Sequence, residues 1–507
     1  MKNHNVVYGV SLAITLIFVI FGILTPEALN NVSSLIHTWI ITNFGWAYLL
    51  STFIFVIFSI GIALSPYGNI KLGKDNEKPQ FSYFGWFSML FAAGMGIGLI
   101  FWGVAEPLVH YVNPPAFLEG QSGAAASFAM KQSYFHWGIH PWAIYIVISL
   151  AIAYFSFRRD MPTLISSCFF PLLGDRIYGF WGRLIDILAV FATIFGVSTS
   201  LGLGAMQIQS GLGETFGFPQ GEMFTIAIIA VITVLFISSS ITGLSKGIQI
   251  LSKTNVVLML FLLLFVFIAG PTAFILGNFT NTLGDYLSSI VSLSLNLHLF
   301  SGYDWTRSWT LFYWAWWIAW SPFVGLFIAS VSRGRTIREF VFCVLLVPTL
   351  LTFAWFAVFG GAALNLELTA NAGLAEAAVN NVSTVLFKLF ATYPLGSGLT
   401  ILAVALLTVF FVTSADSATF VLAIMTSGGN RTPSNRKKIV WGILQSSVAC
   451  VLLVSGGLVA LQKMAIAAAL PFTVVLLLLC VSLLKAFRYE FKYERGEAEI
   501  AAQSEDG

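Results

Sequence analysis

The chain has 507 residues, of which 58% are apolar and 9% charged, with a formal net charge of +3. A soluble domain carries about a quarter charged residues, so the composition excludes a water-soluble globular protein. The small positive excess falls in short loops between apolar stretches and gives no nucleic-acid surface. Apolar stretches of spanning length recur at about 7–24, 45–65, 84–109, 137–157, 184–212, 223–243, 254–277, 309–331, 340–362, 396–427, 439–458 and 464–486. The expected fold is therefore an all-α membrane protein with twelve transmembrane helices. The first stretch follows Lys2, as a secretory signal would, but it is long for one and no small-x-small site follows at Thr25-Pro26-Glu27.

Basic residues set an expected orientation. With both termini cytoplasmic, all but Lys131, Arg307, Lys388 and Lys463 of the 25 lysines and arginines fall on the inner side, as the positive-inside rule requires. A miscounted span would flip the later loops and spoil that bias. The longest hydrophilic excursions, about 110–135, 278–308 and 363–395, are then external. In the second, Tyr286, Leu287, Ile290, Val291, Leu295 and Leu297 recur at helical spacing, which predicts a helix along the outer surface. Cys168, Cys343, Cys450 and Cys480 lack metal-site or redox spacing.

Four spans carry unusual residues. In the third, Gly94-Met95-Gly96-Ile97-Gly98 puts three glycines at mid-span. Two readings fit: a G-x-x-x-G surface for close helix packing, or a broken helix whose carbonyls line a cavity. Span four opens with His136-Trp137, followed by His140-Pro141-Trp142 and Tyr145; its two histidines read as structural neighbours of the tryptophans. In span eight, Trp309–Trp320 holds five tryptophans, Phe312 and Tyr313 within twelve positions, with Ser321-Pro322 directly after. Interfacial tryptophans sit at helix ends, whereas Trp320 lies roughly 17 Å from the Ser332–Arg338 turn at ~1.5 Å per residue. Stacked indole faces at that depth suit a quaternary ammonium cation, which points to a carrier of such a compound. The pairing of Gly-interrupted span three with Pro-interrupted span eight is the arrangement expected of two five-span repeats of opposite topology. In span ten, the Thr413 and Ser414 hydroxyls fit either sodium ligation or bonding to their own helix. Asp416 beside them is an intramembrane carboxylate. No metal-ligand cluster or nucleophile–base pair stands out, so an enzyme is not expected.

These residues resemble the signature of the betaine–choline–carnitine transporter family. The resemblance is carried by Trp309–Phe323 with Ser332–Glu339, by Ala92–Gly98, by His136-Trp137 with His140–Tyr145, and by Thr413–Ser417. It covers nearly the whole chain and is greatest to bacterial sodium-coupled glycine betaine transporters. It implies a leucine-transporter-like core in the cell membrane, usually as a homotrimer in lipid. The organisation would be N-terminal helices in 1–83, a first inverted repeat in 84–277, an external connecting helix in 278–308, a second repeat in 309–486 and a short cytoplasmic tail in 487–507.

The resemblance also implies the site. Trp137, Trp142, Tyr145 and Trp317 would form an aromatic box. Trp316 and Trp320 would meet the ammonium as the site opens inward, and backbone near Ala93 would meet a substrate carboxylate. Trp309 and Phe312 would act as entry platform and gate. One sodium ion would lie between carbonyls of Ala92, Met95 and Phe410 and the hydroxyls of Thr413 and Ser414. A second sodium site is matched by Thr193 and Phe323 but carries Val197 in place of a hydroxyl. Proton-coupled choline members carry an aspartate where this chain has Gly98, so sodium is the expected coupling ion and no cofactor is implied. The rival expectations are sodium-independent exchange of betaine-like compounds and proton-coupled choline uptake.

Overall fold

The computed structural model describes residues 4–94, 96–242 and 245–494. Its α-helices, in order, are α1 (His4–Leu24), α2 (Pro26–Leu64), α3 (Tyr83–Gly94), α4 (Gly96–Val112), α5 (Gly123–Trp137), α6 (Ile139–Ala153), α7 (Phe170–Leu173), α8 (Phe180–Phe216) and α9 (Glu222–Thr242). They continue with α10 (Ser245–Ala269), α11 (Thr272–Leu295), α12 (Tyr303–Ser308), α13 (Thr310–Val331), α14 (Ile337–Ala370), α15 (Leu374–Asn380), α16 (Val385–Ala391), α17 (Gly396–Met425) and α18 (Asn435–Tyr489). Among the described residues the only extended pairing is an isolated bridge between Lys71 and Thr336. The protein is all-α. Among the described residues, nine helical segments are long and apolar enough to cross a membrane, and a tenth is formed by α10 and α11 taken together.

The remaining predicted spans differ in how they are divided. Span three falls on two helices, α3 and α4, which meet at the glycine run. Spans eleven and twelve form one 55-residue helix by hydrogen bonding, interrupted by non-helical backbone at Gly456 and Gly457. Gly457 has φ 60° and ψ −141°, a region essentially closed to residues with a Cβ. Span two is much longer than expected, because α2 runs for 39 residues from Pro26. Span seven is shorter: α10 ends at Ala269 and α11 leaves it at 111°. The predicted surface helix is thus α11, which packs on α14 and α5 while Leu287, Val291 and Leu295 stay exposed.

Span four is also extended. The excursion expected near 110–135 contains α5, which continues into α6 across Gly138. Span eight required a larger correction. No break occurs at Ser321-Pro322: α13 runs unbroken through Pro322. Proline removes one helix hydrogen bond and frees the carbonyl four residues back, here that of Ile318. The Ser321 hydroxyl donates to that carbonyl at 2.8 Å, which removes the reason to break. The interruption lies instead at Trp309, between α12 and α13.

The bundle centres on α13, which packs against α6, α8 and α18; Leu311–Trp317 of this helix are all within 1% of full burial. At one end, loops that the charge pattern assigns to the same side converge. Arg333 pairs with Glu77 at 2.5 Å, Lys74 with Asp160 at 2.5 Å, and Arg158 with both Asp75 at 2.9 Å and Glu490 at 2.6 Å. The Arg333 guanidinium holds Glu77 below the usual carboxylate range.

Candidate substrate-binding site

The site forms where the glycine-rich start of α4 approaches the joint of α5 and α6 and the middle of α13. Small residues allow it. A Cβ at Gly98 would lie 2.8 Å from ring carbons of both Trp137 and Trp316, and one at Gly96 would lie 2.5 Å from the Phe410 ring. Gly96 and Gly98 thus allow the close approach of aromatic rings. Gly196 of α8 brings that helix against α13, where a Cβ would lie 2.8 Å from the Ala319–Trp320 backbone.

Around Gly98 the rings are closely set. Trp316 and Trp317 stack at 4.6 Å with planes 14° apart, Trp137 meets Trp317 edge-on at 4.9 Å and Trp316 at 6.2 Å. Tyr145 meets Trp317 at 6.5 Å, and Trp142 meets Tyr145 at 5.6 Å. Trp142 thus reaches Trp317 through Tyr145. Phe312 stacks on Trp316 at 5.6 Å and 14°, while Trp309 stacks on Tyr313 at 6.4 Å and touches His110 at 4.4 Å. Both lie toward the N-terminal end of α13, and Trp320 lies 6.4 Å from both Trp316 and Trp317 on the other side. The indole N–H groups of Trp142, Trp316 and Trp320 and the Tyr145 hydroxyl are buried with no protein partner. Such donors suit the carboxylate of a zwitterion.

Sequence reasoning missed the polar group behind these rings. Glu106 of α4 is fully buried. Its Oε2 accepts from Trp137 Nε1 at 2.6 Å and from the Tyr313 hydroxyl at 2.5 Å. Its Oε1 lies 2.7 Å from His136 Nδ1 and 3.3 Å from His110 Nε2. His136 also bonds Thr310 at 2.9 Å, and its carbonyl accepts from Trp317 Nε1 at 3.0 Å. Tyr313 contacts Trp137, Trp316 and Trp317. Glu106, His110 and His136 are also near enough to one another to hold a metal ion, although each already has a hydrogen-bond partner. His140 is separate from this group. Across the Gly138 joint it bonds Ser294 of α11 at 2.7 Å and stacks on Trp314.

The expected cation ligands are placed as follows. Ala92 and Ala93 lie in the last turn of α3 with side chains outside the described residues, and Met95 is outside them altogether. Phe410 faces Gly96. The Thr413 hydroxyl donates to the Val409 and Phe410 carbonyls at 2.9 and 3.2 Å, the local bonding that was one of its two readings. Ser414 is buried beside it. Asp416 accepts from Ser239 of α9 at 2.9 Å. Thr193 donates to Ala189 O at 2.8 Å, and Val197 and Phe323 are buried. The hydroxyls nearest to Val197 in sequence face α18: Ser198 bonds Gln445 O at 2.9 Å and Thr199 bonds Leu461 O at 3.2 Å.

Comparisons with known proteins agree with this architecture. The profile of the BCCT, betaine/carnitine/choline family transporter, matches residues 6–492. The chain is 49% identical to the glycine betaine transporter OpuD of Bacillus subtilis, over 97% of this chain and 96% of that one. It is 48% identical to a probable glycine betaine transporter of Desulfitobacterium hafniense, over 96% and 98% of the two chains. An ectoine/hydroxyectoine transporter of Virgibacillus pantothenticus is 44% identical, over 94% and 95%. With a match of this extent and a tryptophan-built site in a multi-span helical bundle, the chain belongs to the betaine/carnitine/choline family of membrane transporters, not to a family of enzymes.

Proposed function

We propose that the protein imports glycine betaine, or a related quaternary-ammonium osmolyte, across the cell membrane by sodium symport and alternating access. The observation that carries this reading is the buried cluster of Trp137, Tyr313, Trp316 and Trp317 around Gly98, supported by the names of its full-length relatives. Indole faces attract a permanent cation that no base can neutralise. Trp142 and Tyr145 would complete the box, Trp316 and Trp320 would meet the ammonium as the site opens inward, and backbone at Ala93 would take the carboxylate. Trp309 and Phe312 would form the outer platform and gate.

Sodium is the proposed coupling ion because Gly98 supplies no titratable group. Its place would be between α3 and α17, among carbonyls of Ala92, Met95 and Phe410 with Thr413 and Ser414. A hydroxyl that now donates to its own helix can turn its lone pairs to a cation. A second ion near Thr193 and Phe323 would lack the hydroxyl that Val197 displaces, which favours a lower stoichiometry. One sodium entering down ~100 mV and a tenfold gradient supplies about 3.7 kcal/mol, enough for a few-hundred-fold accumulation of a neutral zwitterion. The cytoplasmic placement of both termini, the two inverted repeats, 84–277 and 309–486, and assembly as a trimer in lipid belong to the same proposal.

The deciding measurement is uptake of labelled glycine betaine into proteoliposomes. A sodium gradient should drive accumulation, and sodium-free medium should abolish it. Flux unchanged without sodium would reject symport in favour of exchange, and acceleration by a proton gradient alone would favour proton coupling. Competition by ectoine, choline, carnitine and proline betaine defines the substrate range. Ectoine belongs in that panel because of the ectoine/hydroxyectoine relative.

A further inference from the structure

Glu106 occupies a place that a neutral aromatic cage does not require. It is completely buried, and among the described residues the basic groups within ion-pair distance of it are the two histidines. Burying a carboxylate is costly unless several donors meet it. Here an indole N–H and a phenol O–H converge on Oε2, while His136 and His110 flank Oε1. The first two donors belong to rings of the cage itself.

We infer that Glu106 is a specificity-determining residue for the permanent positive charge of the substrate, acting through the rings of Trp137 and Tyr313 rather than by touching the ligand. This deepens the onium reading of the site and rests on it. A donor hydrogen-bonded to a carboxylate leaves its ring richer in electrons, so the ring face attracts a cation more strongly. The anion itself adds a Coulomb attraction that falls slowly with distance in a medium of low polarity. Placed behind the rings, the charge favours an onium group without forming a contact ion pair that would hold the substrate and slow its release. His136 extends the arrangement, since its carbonyl holds the Trp317 N–H at 3.0 Å. Glu106 is therefore a positioning residue for the three rings as well as the source of the field.

Charge and shape can be separated by two substitutions. Glu106→Gln keeps the shape and removes the charge; Glu106→Asp keeps the charge and shortens the arm. Equilibrium binding to the purified full chain would use glycine betaine and 3,3-dimethylbutanoate, in which a tert-butyl group replaces the trimethylammonium. Glu106→Gln should weaken glycine betaine about tenfold and leave the carbon isostere, a net anion, bound as tightly or more tightly. Glu106→Asp should bind glycine betaine more tightly than Glu106→Gln. Equal losses for both ligands, or Gln binding at least as tightly as Asp, would overturn the inference and leave Glu106 a packing residue. If the Gln variant is not monodisperse, Tyr313→Phe serves instead, with a threefold loss confined to glycine betaine expected and an equal loss for both ligands fatal. Wild-type protein that binds neither ligand would instead sink the onium reading itself.

Discussion

Trp137, Tyr313 and Trp317 are each tied by a hydrogen bond to Glu106 or to the His136 carbonyl, whereas Trp142, Tyr145, Trp316 and Trp320 keep buried N–H and O–H groups with no protein partner. The two sets share one site and nearly equal burial, yet they resist motion differently. Turning a ring in the first set breaks a bond to a buried charge or carbonyl; turning one in the second loses only packing. A carrier needs both. On the proposed function, the tied rings would give a fixed recognition surface, and the untied ones would be free to turn as the path opens.

The comparison can be broken most directly at Trp317. Trp317→Ala removes a tied wall and should raise the dissociation constant for glycine betaine about 30-fold or more, the loss of a desolvated cation–π contact; binding within threefold of wild type would dissolve the box. Next, Gly98→Ala forces a methyl against Trp137 and Trp316 and should cost about tenfold in affinity, since overpacking displaces the rings. A pair of tyrosines then sharpens the contrast. Tyr313→Phe removes a bond to a buried carboxylate and should lower unfolding stability by about 1–3 kcal/mol, visible as a drop in thermal midpoint. Tyr145→Phe should leave that midpoint nearly unchanged and act on substrate affinity alone.

A smaller effect is expected on α17. Thr413→Ala and Ser414→Ala should raise the sodium concentration needed for half-maximal uptake by about threefold, the loss of one neutral oxygen ligand, with less effect on betaine affinity at saturating sodium. The smallest lies at the charged end of the bundle. Arg333 depresses the folded pKa of Glu77, so this pair contributes above the unfolded carboxylate pKa of about 4.5 and loses its contribution as pH falls through the lower folded value. At this partly exposed site the contribution is below about 1 kcal/mol. Arg333→Ala should flatten the acid side of a thermal-stability profile without changing substrate affinity.

Periodicity and hydropathy were sufficient for the membrane class, the placement of most spans, the surface helix α11 and the aromatic run of α13, because each is written in neighbouring residues. The glycine run and the Trp309–Trp320 segment likewise marked the two helices that face each other across the site. Pro322 misled because its local effect is cancelled by one hydroxyl. The extent of α5 was hidden by a mixed composition, Gly123–Trp137, which is helical and buried only through its packing with α4, α11 and α14.

What the sequence by itself determined is an all-helical membrane protein with tryptophans gathered on one helix, since solvent preference and side-chain type are properties of single residues. Only the tertiary structure decided that Glu106, at a position that reads as a span end, stands behind those tryptophans. Its partners Trp137 and Tyr313 are 31 and 207 positions away in the chain, and hydrogen bonding between such residues depends on how helices are brought together, not on spacing within any one of them.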